Sequence, residues 1–315
     1  MEEIRLILAP GPLDSPARKR PSRRPPFRIA AVQQRWHRDA GEHEGALEAA
    51  IELAARAGAQ LICLHELTLS RYFAADPEGP AAAGVDPEQL PGGATHAFAS
   101  RMAERYGAAI HASLYERAEE GETGLGYNTA IVVSPDGELL SRTRKLHIPK
   151  TAGYHEDRYF RPGPSEGDAF PVLALGPARL GLPTCWDQWF PELARAYSLK
   201  GADVLVYPTA IGSEPEHPGF DTEPLWEQAI LGSAIVNGLF MLAVNRIGDE
   251  PPLRFYGSSF ICDPYGRKLA QAPRDEPAVL VADLDLDQRR DWLELFPFLT
   301  TRRPDAYAAL VESPA

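Results

Sequence analysis

The order of apolar and polar positions predicts alternating strands and helices from Phe27 onward. The run FRIAAVQ is rich in strand formers, and the next segment, GALEAAIELAARAG, has helical spacing that ends at Gly58. A buried strand LICLHE, a Pro/Gly-rich loop through Gly93, a helix over 95–106 and a strand AAIHASLYE follow. The first half of the chain is therefore predicted to consist of β-α-β units.

The second half combines such units with hairpins. Two segments, YNTAIVVSPDGELLSRTRK and VLALGPARLGLPTC, have apolar runs flanking Pro-Asp-Gly and Gly-Pro turns, which predicts antiparallel pairs. After Cys185 the pattern predicts a helix from Pro191, a strand VLVYP, a helix over 223–237, a strand LFMLAVN, a hairpin YGSSFICDPYGRKLAQA and a last strand VLVADLDL. Mixed sheets with helices outside predict an α/β fold, a four-layer α-β-β-α sandwich.

The N-terminal segment has a different composition from the rest of the chain. Proline and arginine dominate residues 10–26, and the apolar periodicity disappears. Such a segment buries too little apolar surface to repay its ordering entropy. We therefore predict a flexible extension over 1–26, followed by one catalytic domain over 27–315; an RNA or membrane tether is the alternative for the basic run.

Charge and cysteine content exclude several classes of protein. A net charge of −12 at pH 7 repels phosphates and anionic lipid, so we expect neither nucleic acid nor a membrane as partner. No apolar run reaches the roughly 18 residues that span a bilayer, and no secretory signal precedes the domain, which predicts a cytoplasmic protein. The three cysteines, Cys63, Cys185 and Cys262, are too few for a disulfide framework or paired zinc ligands.

Four reactive side chains stand where predicted strands end, which is where sites built on sheets assemble. They are Glu66, Glu116, Lys145 and Cys185. A single acid or lysine at a strand end is usually a solvated rim residue, and a single cysteine is usually a small core residue. Only their combination suggests a site.

The surroundings of Cys185 favour a nucleophile. The chain turns sharply through Trp-Asp-Gln-Trp-Phe and then begins a helix at Pro191. A thiol at a helix N-terminus has its thiolate stabilised by the dipole and by free N–H groups. Cys63 lies among apolar neighbours and Cys262 precedes a turn, so both are interpreted as structural.

Together these residues resemble the Glu-Lys-Cys signature of the nitrilase superfamily. HEL at Glu66, RKLHIP at Lys145 and CWDQWFPE at Cys185 carry the resemblance, which covers residues 27–300. The stretches GYHEDRYFRPG, YPTAIGSEP, NRIG and GSSFICDPYG support it. Within the superfamily, CWDQWFPE followed by YPTAIGSEP looks most like the N-carbamoylputrescine amidases. The resemblance implies the nitrilase type of sandwich and a carbon–nitrogen hydrolase of linear amides or ureido compounds.

The resemblance also implies roles for individual residues. Glu66 is expected to be the general base, Lys145 to stabilise the oxyanion, and Cys185 to form the covalent intermediate. Glu116 matches the second glutamate, which holds the lysine and the substrate, and the Trp186 N–H is the second oxyanion donor. The pocket is expected to be lined by His147, Tyr154 and His155, each histidine having a structural role as its alternative.

The residues after the nucleophile bear on the substrate. Relatives that act on carboxylate-bearing ureido compounds place arginines there, whereas this chain has Asp187, Gln188 and Trp189. The acids Asp187, Glu214 and Glu216 suit an aliphatic ammonium, although helix capping or salt bridging is the alternative for Asp187 and Glu216. Lys150 is a departure from the pattern of the putrescine enzymes, and a lysine near the pocket would oppose a cation. Another ureido compound or a simple aliphatic amide therefore stays open.

Other classes of function lack their motifs. The eight histidines include no H-E-x-x-H pair, and Gly257-Ser258-Ser259 is not a serine-hydrolase elbow. We expect no metal and no cofactor. A non-catalytic assembly member of the superfamily is the remaining alternative, against which the retention of all four polar residues argues. The resemblance implies a homodimer or a higher homo-oligomer.

Overall fold

The described residues form fifteen strands, six α-helices and five short 3₁₀ turns. In the structure, a computed structural model, these are residues 2–118, 125–151, 153–165 and 167–312. The strands are β1 (Arg5–Leu8), β2 (Phe27–Gln33), β3 (Leu61–Cys63), β4 (Ala109–Glu116), β5 (Tyr127–Val133), β6 (Leu139–Arg144), β7 (Val172–Leu175), β8 (Ala178–Gly181), β9 (Val204–Pro208), β10 (Phe240–Val244), β11 (Ile247–Glu250), β12 (Leu253–Tyr256), β13 (Phe260–Cys262), β14 (Lys268–Gln271) and β15 (Ala278–Leu284). The helices are α1 (Ala40–Arg56), α2 (Gly79–Ala82), α3 (Ala94–Tyr106), α4 (Pro191–Leu199), α5 (Glu223–Asn237) and α6 (Asp287–Leu295).

Two mixed sheets stack face to face. The first has the order β1-β15-β2-β3-β4-β5-β6 and the second β14-β13-β10-β9-β8-β7, while β11 and β12 form a separate hairpin. The predicted hairpins β5–β6, β7–β8 and β13–β14 are confirmed as antiparallel pairs. Because β2, β3 and β4 are parallel, the segments that follow them leave the first sheet at the same edge.

Three buried clusters hold the four layers together. Side chains of both sheets, such as Ile29 and Leu242, form the central cluster. Outside the first sheet, Ile51 of α1 and Phe98 of α3 pack on it, and outside the second sheet Trp226 of α5 belongs to the third cluster. The amphipathic faces of the helices are thus buried on the sheets, which confirms the predicted α-β-β-α sandwich.

The prediction of a flexible segment over 1–26 is wrong for residues 2–26. Strand β1 pairs in parallel with β15, and Arg18 lies 2.5 Å from Asp285 and 2.8 Å from Asp291. Arg24 likewise lies 2.8 Å from Asp203 and 2.9 Å from Asp287. The basic run is therefore neutralised by an acidic cluster around α6, a complementarity that only the folded arrangement reveals.

No helix within the described ranges is both long enough and apolar enough to cross a bilayer.

Candidate active site

The candidate nucleophile Cys185 begins a short 3₁₀ turn between β8 and α4. This turn, Cys185–Trp189, is followed by α4 at Pro191. The backbone φ of Cys185 is 40°, in the left-handed region that costs a non-glycine residue about 1–3 kcal/mol. Cys185 is only 7% exposed and lies on the wall of a cavity. The turn therefore holds Cys185 in a strained conformation at the cavity surface.

Asp187 stabilises this turn from within the protein. Its carboxylate accepts hydrogen bonds from the N–H groups of Thr184 at 3.0 Å and His147 at 2.9 Å, and it lies 2.7 Å from His147 Nδ1. Asp187 is 1% exposed and does not line the cavity. The expectation that Asp187 contacts substrate is therefore not met, because its acceptor positions are occupied by the turn and by the segment after Lys145.

Lys145 lies at the centre of the polar site. Its Nζ is 3.0 Å from Glu66 Oε1, 2.7 Å from Glu156 Oε2 and 2.9 Å from Glu156 Oε1. Burial by itself lowers the pKa of Lys145, but the carboxylates of Glu156 and Glu66 outweigh it and raise that pKa above its usual range. Lys145 is therefore a permanently charged ammonium held between two carboxylates.

Glu66 comes three residues after β3 and is fully buried. Its Oε1 accepts from Asn128 Nδ2 at 2.7 Å and from Lys145 Nζ at 3.0 Å. Within the described residues, Glu66 Oε2 is buried and has no hydrogen-bond partner. One oxygen of the carboxylate is thus fixed while the other is available to a proton.

The electrostatics of the site keep the thiol protonated. Burial raises the pKa of Cys185 well above its usual range, the negative Glu66 raises it further, and Lys145 opposes both. Burial also raises the pKa of Glu156, with Lys145 acting in the opposite direction. The resting site thus contains a neutral thiol, and a base has to take its proton during attack.

Glu116 does not take the position that we expected for it. Its carboxylate accepts from Thr129 Oγ1 at 2.6 Å and pairs with Arg142 and Arg144. Asn128, which binds Glu66, and Thr129 are consecutive in β5, so their side chains point to opposite faces of the sheet. Glu116 therefore lies across the sheet from Glu66, and Glu156 contacts the lysine instead.

Sequence reasoning missed Glu156, Asn128 and Tyr72. Tyr72 donates from its hydroxyl to Glu156 Oε1 at 2.6 Å and is itself buried. Glu156 lies in a short 3₁₀ turn rather than at a strand end, and Tyr72 lies in a loop. The only signal for Asn128 was its place as one of two polar residues, with Thr129, in the mainly apolar strand β5, and for Glu156 its place in the supporting stretch GYHEDRYFRPG.

The cavity beside Cys185 has a volume of about 400 Å³. Trp186, Tyr154 and Glu214 line it, as expected, whereas His147 and His155 do not. His147 stacks on Phe190 with ring centres 3.6 Å apart, and the backbone N–H of His155 donates to Ala74. Further apolar walls come from Trp189, Ile211, Phe220 and Leu225.

The charged side chains that line the cavity include the acidic residue Glu214. Burial raises the pKa of Glu214, and nearby His217 opposes that effect. Among the described residues that line the cavity there is no arginine or lysine, and Lys150 is exposed outside it. Nor are three or more His, Cys, Asp or Glu grouped as metal ligands anywhere in the described part of the chain.

Comparison with known proteins places these residues in a family. Residues 28–294 match the sequence profile of the carbon–nitrogen hydrolases. An N-carbamoylputrescine amidase of Solanum lycopersicum is 36% identical over 291 residues, which cover 90% of this chain and 94% of that protein. A citrullinase of Francisella tularensis is 36% identical over 295 residues, covering 90% and 98%. The crystal structure of a carbon–nitrogen hydrolase from Helicobacter pylori superimposes with a TM-score of 0.78 at 32% identity and covers 91% of this chain and 99% of its own. The chain thus belongs to the carbon–nitrogen hydrolase family of the nitrilase superfamily and is an amidase of that family.

Proposed function

We propose that this amidase hydrolyses N-carbamoyl amines with a cationic tail, foremost N-carbamoylputrescine, to putrescine, CO₂ and ammonia through a covalent intermediate on Cys185. The observation that carries the proposal is the cavity between Cys185 and Glu214, with Lys145 fixed behind the thiol by two carboxylates. Such a reaction would serve polyamine synthesis.

In the first step Glu66 acts as the general base. The free Oε2 of Glu66 takes the proton of Cys185 as Sγ attacks the ureido carbon, so the buried thiolate never has to exist alone. The charge that develops on the carbonyl oxygen is stabilised by Lys145 and by the backbone N–H of Trp186. Glu156 and Tyr72 hold the ammonium of Lys145 in place for this purpose.

In the second step the tetrahedral intermediate collapses. One C–N bond of the urea group breaks, and the leaving nitrogen takes the proton from Glu66. The remaining carbamoyl group stays on Cys185 as a thiocarbamate. Glu66 then deprotonates a water that attacks this thiocarbamate, and the thiol regains its proton. The released carbamic acid loses CO₂ to give the second nitrogen product, so that one N-carbamoyl amine and one water yield one amine, one ammonia and one CO₂.

The chemistry of the cavity supports a cationic tail. Its apolar walls suit a polymethylene chain, and Glu214 supplies the negative charge for an ammonium. Tyr154 lies close to Glu214, whose charge adds to burial in raising the pKa of the Tyr154 phenol. A charge-assisted hydrogen bond to the ammonium contributes about 1.5–3 kcal/mol.

A second candidate substrate is a ureido amino acid of the citrulline type. The similarity to a citrullinase motivates it, and so does His217, which lines the cavity beside Glu214. An α-ammonium contacting Glu214 and an α-carboxylate accepting a hydrogen bond from the His217 ring would match this pair of side chains. Neutral aliphatic amides use neither Glu214 nor His217 and are the third candidate substrate.

A non-catalytic role is disfavoured, because Cys185, Lys145, Glu66 and Glu156 form a complete site.

The decisive experiment measures ammonia release from N-carbamoylputrescine, citrulline, N-carbamoyl-β-alanine and a neutral amide such as butyramide. We expect the first to have the highest kcat/KM, and Cys185→Ala to abolish release from all of them while the fold is retained. Preference for citrulline, lost in His217→Gln, would favour the second candidate. Turnover by Cys185→Ala would contradict the thiol mechanism itself.

We further propose a cytoplasmic homodimer. The three cysteines are unpaired, as is usual in a reducing compartment. Helix α5 exposes Leu225 and Val236, with Ala229 and Gly232 between them on the same face. A second copy would cover this stripe, and Val236→Glu should then shift the mass measured by light scattering from dimer to monomer.

A further inference from the structure

A buried ion pair lies behind the loop that joins Glu66 to Tyr72. Arg246, which follows β10, is fully buried, and its Nη1 lies 2.7 Å from Oε1 of Glu250 at the end of β11. A buried pair of this kind contributes little net stability, because desolvation offsets most of the attraction. What the pair contacts at its two ends is therefore more informative than the pair itself.

The arginine end contacts the backbone that carries the base. Arg246 Nη2 donates to the carbonyl oxygen of Glu66 at 2.7 Å, of Leu67 at 3.1 Å and of Ser70 at 3.2 Å. Leu67 has a φ of 49°, so the chain is strained immediately after the base. A planar guanidinium gathers these carbonyls in one fixed geometry, which a flexible lysine ammonium does not do.

The glutamate end contacts the other end of the same loop. Glu250 Oε2 accepts from the backbone N–H of Tyr72 at 2.7 Å. The Tyr72 hydroxyl donates to Glu156, which holds Lys145. One ion pair thus connects to both carboxylates that contact the lysine: to Glu66 through its backbone, and to Glu156 through Tyr72.

We propose that Arg246 and Glu250 are positioning residues that fix the Glu66–Tyr72 loop so that Glu66 can take the proton of Cys185. The inference rests on the proposed roles of Glu66 and Cys185 and adds the pair that orients them. A structural role alone would change the folded fraction, whereas a positioning role changes how readily the thiol of a folded molecule loses its proton.

The test is Glu250→Gln, which keeps the volume but offers a single acceptor oxygen. Its amide NH₂ then faces either Arg246 Nη1 or the Tyr72 N–H, so one of the two contacts is lost. Asp263→Asn is the matched control, because Asp263 is a buried carboxylate that binds the N–H of Tyr265 and an arginine four residues away, Arg267. Arg246→Lys is the second variant if Glu250→Gln does not fold.

The measurement is the rate of iodoacetamide alkylation of Cys185, followed by mass spectrometry from about pH 7 to about pH 9 and expressed per folded molecule. With Glu66 in position, the wild type and Asp263→Asn should react at a rate that changes little with pH. In Glu250→Gln the rate at neutral pH should fall about tenfold, because a small displacement of Glu66 slows the transfer of the proton from Cys185. The rate should then rise with pH, because hydroxide replaces the base. With N-carbamoylputrescine, kcat should fall and KM should change little.

Two different results would overturn the proposal, and they have different consequences for the proposed mechanism. If Glu250→Gln and Arg246→Lys show the pH profile of the wild type while only their melting temperatures fall, the pair is structural and the proposed mechanism survives. If Cys63 or Cys262 of the wild type is alkylated as fast as Cys185, the nucleophile itself is wrong, and the positioning role fails with it.

Discussion

The ammonium of Lys145 lies 2.7 Å from Glu156 Oε2, and neither side chain is more than 1% exposed. Glu156 and Glu66 therefore have different roles beside Lys145. Glu156 compensates the charge of the lysine, while Glu66 shares it through one oxygen and keeps the other without a partner among the described residues. A base that gave both oxygens to the lysine would be a poor proton acceptor for Cys185.

We predict that Glu156→Gln will lower kcat strongly with little change in KM. An amide cannot offer the lysine two acceptor oxygens, so Lys145 moves away from the developing oxyanion. Loss of one oxyanion donor costs about 10²–10³ in kcat, and a displaced donor should cost up to about a hundredfold. Steady-state kinetics on the substrate that the panel identifies will measure the effect.

Glu116→Gln is the matched control for that variant. It removes a buried carboxylate that pairs with Arg142 and Arg144 on the opposite face of the sheet. Its melting temperature should fall while kcat per folded molecule stays near that of the wild type. A loss of kcat as large as in Glu156→Gln would mean that Glu116 does act in the site, as the sequence had suggested.

Asp187→Asn should weaken both the fold and the site. The carboxylate accepts the N–H groups of Thr184 and His147, and an asparagine NH₂ would oppose one of these donors. The free energy of unfolding should fall by about 1–3 kcal/mol, as for an unsatisfied buried group. Urea denaturation measures this loss. If Asp187 contacted the substrate instead, KM would rise while stability stayed constant.

The sequence predicted those parts of the fold that depend on local pattern. The interval predicted for the helix over 223–237 coincides with α5, and three predicted hairpins, two of them placed by their Pro-Asp-Gly and Gly-Pro turns, are antiparallel pairs. Strand β1 was missed because RLIL becomes a strand only by pairing with β15, in which the partner of Arg5 is Ala278. Helix α6 was missed because DQRRDWLEL is mostly polar and charged and has few apolar residues, and its acids bind the N-terminal arginines.

The sequence predicted those residues of the site that follow directly after a strand. Glu66 and Lys145 follow β3 and β6 of the first sheet, Cys185 follows β8 of the second sheet, and the structure brings the three together. Glu116 satisfies the same rule, yet it points to the other face, which the sequence does not reveal without the register of β4 and β5. Glu156 lies in an irregular segment, where no periodicity indicates which way a side chain points.

Glu214→Gln should raise KM for N-carbamoylputrescine by roughly ten to a hundredfold, the equivalent of losing one charge-assisted hydrogen bond. The reaction of butyramide should be almost unchanged, because a neutral chain has no ammonium for Glu214 to bind. Lys150→Asp should be nearly silent, since Lys150 is exposed outside the cavity. Equal effects of Glu214→Gln on the charged and the neutral substrate would contradict a cation site.

The buried His111 should make stability depend on pH. Burial lowers the pKa of His111 to about 3, and among the described residues neither ring nitrogen has a hydrogen-bond partner. The unfolded chain, with an ordinary histidine pKa near 6.5, therefore binds a proton that the folded chain excludes. The stabilising effect of the neutral ring is complete above about pH 6.5 and is lost as the pH falls toward about 3, by about 1.4 kcal/mol per pH unit. His111→Met, which has a similar volume and does not titrate, should reduce the slope of unfolding free energy against pH by that amount between about pH 6 and about pH 4.5. Urea denaturation at four pH values measures both slopes, and equal slopes would show that His111 is protonated, or hydrated, in the native protein.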